Sequence, residues 1–172
     1  MRVLTASLAF AAILAAAPAF ADTPQGLGTF QNWSAYTTGT GDQKVCYALS
    51  QPTATSPKKA KRDPIYLLFS DWPARRAVAE PEIVPGYKYK DKSVATLQVG
   101  SQKFQFFTKN DSGDGSAWVE QQPDETRIVA ALKNAATATV TGTSMHGTAT
   151  KDTYSLAGLA DALDKAHGAC GP

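Results

Sequence analysis

Residues 94–108 constrain the fold more than any other stretch of the chain. VATLQV (Val94 to Val99) and QKFQFFT (Gln102 to Thr108) alternate apolar and polar residues with period two, and Gly100-Ser101 between them is a two-residue loop of the kind that favours a type II′ turn. Closed by that turn, the strands set Leu97 opposite Phe104 and Ala95 opposite Phe106 on one face, with Thr96 opposite Gln105 on the other. Turn chemistry and alternation agree, so an antiparallel hairpin with one apolar face is predicted.

The same pattern recurs elsewhere. Thr29 to Thr37 (TFQNWSAYT), Lys44 to Ser50 (KVCYALS) and Ile65 to Ser70 (IYLLFS) are rich in aromatic and aliphatic residues and bounded by Gly, Pro or Asp, so each is predicted as a strand. Ala136 to Thr141 alternates alanine and valine with threonine, and Gly147 to Thr153 is its expected partner, which makes about seven strands. Two stretches have helical character instead. Pro123 to Lys133 opens with proline, carries Asp124 and Glu125 in its first turn and ends on Lys133, matching the helix dipole at both ends. Ser155 to His167 repeats Leu156, Leu159, Ala160 and Leu163 at helical spacing, from a serine cap to Gly168. The expected architecture is mainly β: a single antiparallel, sandwich-like domain with one or two helices, including a C-terminal helix.

The N-terminus bears on the compartment. Arg2 is followed by fifteen uncharged residues, Val3 to Ala17, too few for the roughly 20 that cross a bilayer as a helix. Pro18 breaks the run, and Ala19-Phe20-Ala21 has small residues where signal peptidase reads them. Residues 1–21 therefore read as a secretory signal peptide, and 22–172 as the single mature domain, with no integral membrane segment. Asp22 stands where a lipoprotein would carry its cysteine. Export changes the meaning of the two cysteines: in an oxidising compartment, Cys46 and Cys170 are expected to form a structural disulfide, since neither lies in a C-x-x-C.

Charge and ligand counts exclude several classes. Seventeen basic against 15 acidic residues leave +2, too near zero to argue for nucleic acid. Two cysteines and two histidines cannot build a four-cysteine zinc site, and no cofactor or metal is expected. Three constellations remain. Ser144, His146 and Asp152 contain the residue types of a hydrolytic triad, without a G-x-S-x-G elbow. Asn110 to Gly115 has alternating oxygen ligands like the start of a calcium loop, but Gln121 occupies the position of the bidentate acid, so a polar hairpin tip is the simpler reading. Trp33, Trp72, Trp118, Tyr87 and Tyr89 are either core or a platform for a sugar or peptide, and a small-ligand or sugar site requires a concave surface lined by Tyr87, Tyr89 or a tryptophan. In Gly86-Tyr-Lys-Tyr-Lys90 the alternation sends both rings to one face and both charges to the other. Pro52 to Arg62 (PTATSPKKAKR) reads as an exposed loop whose Lys58, Lys59, Lys61 and Arg62 form, with Tyr87 and Tyr89, the candidate binding surface.

The order of these segments is itself informative: Val45-Cys-Tyr-Ala-Leu-Ser-Gln-Pro52, Pro64-Ile-Tyr-Leu, Pro85-Gly-Tyr-Lys-Tyr-Lys90, Ala117-Trp118, Ile128-Val-Ala-Ala-Leu, and Asp152-Thr-Tyr-Ser-Leu-Ala-Gly-Leu159 before Cys170. From about Trp33 to Cys170 the chain resembles the invasion-associated locus B family of exported bacterial proteins. The resemblance implies a periplasmic, outer-membrane-associated or secreted protein, linked in its founding members to invasion of host cells, and carries no catalytic residues with it. The two cysteines match the family's cysteine positions. The reading is a non-catalytic factor that binds an envelope or host-surface component; a periplasmic hydrolase using Ser144 and His146, or a small-ligand or sugar-binding module, is the alternative.

Overall fold

The computed structural model describes residues 23–110 and 113–171, so the signal peptide reading lies outside the described residues. Eleven strands and two helices follow one another as β1 (Gln25–Phe30), β2 (Trp33–Thr38), β3 (Val45–Ser50), β4 (Ala54–Ser56), β5 (Tyr66–Trp72), β6 (Ala77–Val84), β7 (Val94–Val99), β8 (Gln102–Lys109), β9 (Ser116–Trp118), α1 (Gln122–Lys133), β10 (Thr137–Thr143), β11 (Ala149–Ser155) and α2 (Leu159–Cys170). All strands join one antiparallel sheet in the order β1-β2-β3-β5-β6-β9-β8-β7-β10-β11-β4. The mainly β domain with a C-terminal helix is as expected. Among the described residues no helix is long and apolar enough to cross a membrane.

The hairpin at the centre forms in the predicted register, with Leu97 opposite Phe104 and Ala95 opposite Phe106. Gly100 has φ +58° while Ser101 stays out of the positive region, the combination that distinguishes a II′ turn from a I′ turn. Leu97 and Phe106 are completely buried, and so are Trp33, Leu67 and Ile83 from the other half of the sheet, in the same core. One sheet supplies both walls because it curls. The Trp33 indole on β2 donates to the Ser155 carbonyl on β11 at 2.9 Å, although β2 and β11 lie near opposite edges of the strand order.

Helix α2 packs one face on the concave side of β1, β2 and β3 and exposes Asp161, Asp164 and Lys165 on the other. Leu159, Ala162 and Leu163 enter the main core, and Ala166 packs with Ala35 and Cys46. Its last turn is bonded to β3 through Cys46–Cys170, with a Cα–Cα separation of 5.7 Å across 124 residues of sequence. Gly158 fixes where the helix begins. At φ +90° it packs so tightly on the Phe30 carbonyl that any Cβ would overlap it.

Four differences from the sequence reading have local causes. Thr29 to Thr37 is not one strand: Gln31 takes φ +53°, and the chain folds into the β1–β2 hairpin. The stretch Pro52 to Arg62 is not all loop, because Ala54–Ser56 pairs with β11. Strand β6 was hidden by Glu80-Pro81-Glu82, which breaks the alternation; it is held by a bulge at which the Asp71 carboxylate accepts the Ala79 N–H at 2.6 Å, with Ala79 at φ +54°. Finally, Ser155 does not cap α2. It ends β11, its hydroxyl accepts the Ala157 N–H, and the helix runs from Leu159 through Gly168 to Cys170.

Reducing Cys46–Cys170 with dithiothreitol is expected to lower the thermal midpoint, and Cys46→Ser to lower it equally; the chain-entropy value for this separation is about 5 kcal/mol. Calorimetry with and without reductant checks this, and an unmoved transition would mean that helix packing alone closes the sheet.

Candidate functional site

The segment Gly86 to Lys90 obeys its alternation but turns the other way from the binding surface read from sequence. Tyr87 and Tyr89 do share a face, their rings 5.4 Å apart edge to face, while Lys88 and Lys90 are exposed. That face points inward: Tyr89 is 1% exposed, so it cannot serve as an exposed contact. Gly142 on β10 makes room for the pair, since a Cβ there would come within 2.7 Å of the Tyr87 hydroxyl. The Tyr87 hydroxyl bonds the Thr150 hydroxyl at 2.6 Å, and burial pushes both phenols above their ordinary pKa. The Tyr89 and Tyr154 hydroxyls are buried with no protein partner among the described residues.

Arg62 is the second correction. It is not part of an exposed basic loop; its two terminal nitrogens donate to both Asp152 oxygens at 2.7 Å, its Nε donates to the Pro85 carbonyl at 2.8 Å, and its guanidinium lies 5.0 Å from the Tyr87 ring centroid. The two side chains are 5% and 3% exposed. Burial lowers the Arg62 pKa, but hydrogen bonding to Asp152 and its charge outweigh this and raise it. A planar guanidinium suits this bidentate geometry, which a lysine would not reproduce. Lys58, Lys59 and Lys61 remain exposed, on the segment between β4 and this ion pair.

The same pair takes Asp152 out of any triad. Ser144 is 7% exposed and its hydroxyl accepts the Thr148 N–H at 3.2 Å within the turn that carries exposed His146. Among the described residues no hydrogen bond joins Ser144, His146 and Asp152. In the Asn110 to Gly115 segment, residues 111 and 112 lie outside the described residues. Asn110 itself spans the Tyr89 backbone, accepting its N–H at 2.8 Å and donating to its carbonyl at 2.9 Å, as a neighbouring strand would. Among the described residues no three His, Cys, Asp or Glu side chains gather as metal ligands.

A concave surface occurs on the outer face of the sheet. Cross-strand pairing aligns Leu68, Glu82, Trp118 and Phe107 from β5, β6, β9 and β8 in one row. Trp72 and Arg75 form a wall: the guanidinium lies 4.4 Å from the indole centroid and bonds Glu80 at 2.8 Å. All of these except Leu68, together with Ser70, Lys109 and Val119, line a groove of about 480 Å³. Trp33 is wholly buried, whereas Trp72 and Trp118 are half-buried in the groove. Burial raises the Glu82 pKa; Ser116 and Trp118 offset part of this by hydrogen bonding, and Glu80 adds to it. The signal for this groove was present in sequence only as two tryptophans, because β6 and β9 were not recognised as strands.

These features define a disulfide-closed antiparallel β protein with a C-terminal helix packed on its sheet, whose chemistry-bearing residues mostly hold the fold. The model of the invasion associated locus B (IalB) protein family matches residues 33–167, and the chain belongs to that family. In fold it is similar to the crystal structure of invasion associated protein B from Bartonella henselae, with a TM-score of 0.56 at 16% identity, covering 83% of this chain and 96% of that one. No curated protein sequence gave a significant match.

Two outcomes follow from the buried charges. Arg62→Met strands the Asp152 carboxylate and is expected to destabilise by about 3–5 kcal/mol, while combining it with Asp152→Leu restores most of the loss; urea unfolding of the double-mutant cycle measures it. A carboxyl whose folded pKa is raised binds its proton more tightly when folded, so its contribution to stability falls as pH rises out of the ordinary glutamate range. Glu82→Gln should therefore raise the melting temperature at pH 7, and its advantage should disappear on acidification below that range.

Proposed function

We propose that this chain is an exported, non-catalytic binding protein of the bacterial cell envelope, or a secreted one, and that it contacts an anionic envelope or host-surface component through Lys58, Lys59 and Lys61. The observation that carries this reading is the presentation of those lysines. They are exposed, no carboxylate lies within ion-pair distance of them among the described residues, and the segment bearing them is tied down at both ends. On one side β4 pairs with β11; on the other Arg62 is locked to Asp152. Such a loop presents three like charges at little ordering cost on binding, because its ends are already fixed.

Export agrees with the sequence of residues 1–21 and with the disulfide, which persists in oxidising compartments. The relative named as an invasion associated protein supports a role at the bacterial surface. Placing Ser144 in a turn and Asp152 in an ion pair favours binding over hydrolysis.

The test replaces Ala60 with a photoreactive residue and irradiates intact cells. A discrete crosslinked species is expected, and Lys58→Glu, Lys59→Glu, Lys61→Glu together should abolish it without moving the melting temperature. Capture that is absent, or that survives the charge reversal, would remove the loop from the function.

A further inference from the structure

The groove on the outer sheet face is formed by other strands than those that hold the lysine loop, and its lining has a chemistry of its own. Two carboxylates, Glu80 and Glu82, stand against two cations, Arg75 and Lys109, so the formal charge of the lining is zero. Glu80 and Arg75 already neutralise each other at 2.8 Å. A charged ligand gains no net field from such a lining, whereas a neutral ligand with many hydroxyls can donate to the carboxylates and accept from the cations at once.

The apolar part has matching geometry. Trp118 and Phe107 are cross-strand neighbours with ring centroids 6.0 Å apart, set in the row that runs across β9 and β8. Arg75 occupies a face of Trp72 and the Lys109 ammonium lies 5.8 Å from the Phe107 ring centroid, which leaves Trp118 as the ring for stacking, with Phe107 as its apolar neighbour. The Trp72 indole N–H is buried and has no acceptor among the described residues. A volume of about 480 Å³ is within the usual range for small-ligand clefts, and a few placed polar groups beside aromatic walls are the usual composition of one.

We propose that this groove binds a neutral saccharide, with the sugar ring stacked on Trp118 and its hydroxyls shared between Glu82 and Lys109. The proposal rests on the chain being a binding protein but uses a surface distinct from the lysine loop, so loss of crosslinking at position 60 and loss of saccharide binding are separate results.

The experiment is a two-dimensional proton–nitrogen NMR titration of the purified oxidised protein, which has three tryptophans and so three indole signals. The probes are cellotriose, maltotriose and chitotriose at millimolar concentration, with pentalysine and inorganic phosphate as charged controls. At least one trisaccharide should shift the Trp72 and Trp118 indole signals and leave that of Trp33, which is bonded to Ser155 in the core. Trp118→Ala should weaken binding about tenfold or more, as expected for loss of a stacking ring, and Trp118→Phe by less. The wild-type titration stands even if the alanine variant fails to fold. No shift with any trisaccharide, shifts undiminished in Trp118→Phe and Trp118→Ala, or stronger binding of pentalysine or phosphate would overturn the proposal.

Discussion

A sheet with two free edges needs something other than its own ladder to stay curled. Here that role falls to α2, which covers the inner side of β1, β2 and β3 with its apolar face and is bonded at its last turn to β3 by Cys46–Cys170. The helix contributes Leu159, Ala162 and Leu163 to the core that both halves of the sheet line. Its N-terminal end is set by the contact of Gly158 with Phe30, and by the Asn32 N–H bonded to the Ala157 carbonyl. Without this closure the inner faces of β2 and β3 would be exposed, and burial of their apolar area is the main force favouring the folded chain.

Buried charge ties elements together at two places. Asp71 accepts the Ala79 N–H at the β5–β6 bulge and faces His167 of α2 at 3.2 Å, close to the disulfide. Arg62 and Asp152 fasten the connection between β4 and β5 to β11, with the Pro85 carbonyl and the Tyr87 ring completing the surroundings of the guanidinium. A pair buried this deeply adds little net stability over an apolar substitute, but it penalises any arrangement that leaves either charge alone. That is why residues that read as catalytic or exposed in the sequence end up in the frame.

What could be read in advance followed from short-range physics. The Gly100-Ser101 turn and the alternation around it specified the register of β7 and β8 because a slip of one residue would turn every apolar side chain outward. The dipole-matched ends of Pro123 to Lys133 located α1, observed as Gln122–Lys133. The β1–β2 hairpin, β4, β6 and β9 were not legible: Gln31 is unusual at positive φ, Ala54–Ser56 is short, and Glu80-Pro81-Glu82 interrupts the pattern that marks a strand. Of the residues read as a surface, Lys58, Lys59 and Lys61 are exposed, whereas Tyr89 and Arg62 are buried.

The sequence by itself determined the antiparallel β character, the two helices, the pairing partners of the cysteines and the family, because each rests on local periodicity, composition or the order of short segments. Only the tertiary structure decided which way alternating faces point. Period two says that Tyr87 and Tyr89 share a side, but the curl of the sheet makes that side the core, and the packing of β5, β6, β8 and β9 brings Trp72 and Trp118 from distant segments into one groove. Inside and outside are properties of the closed sheet, and no strand carries that information alone.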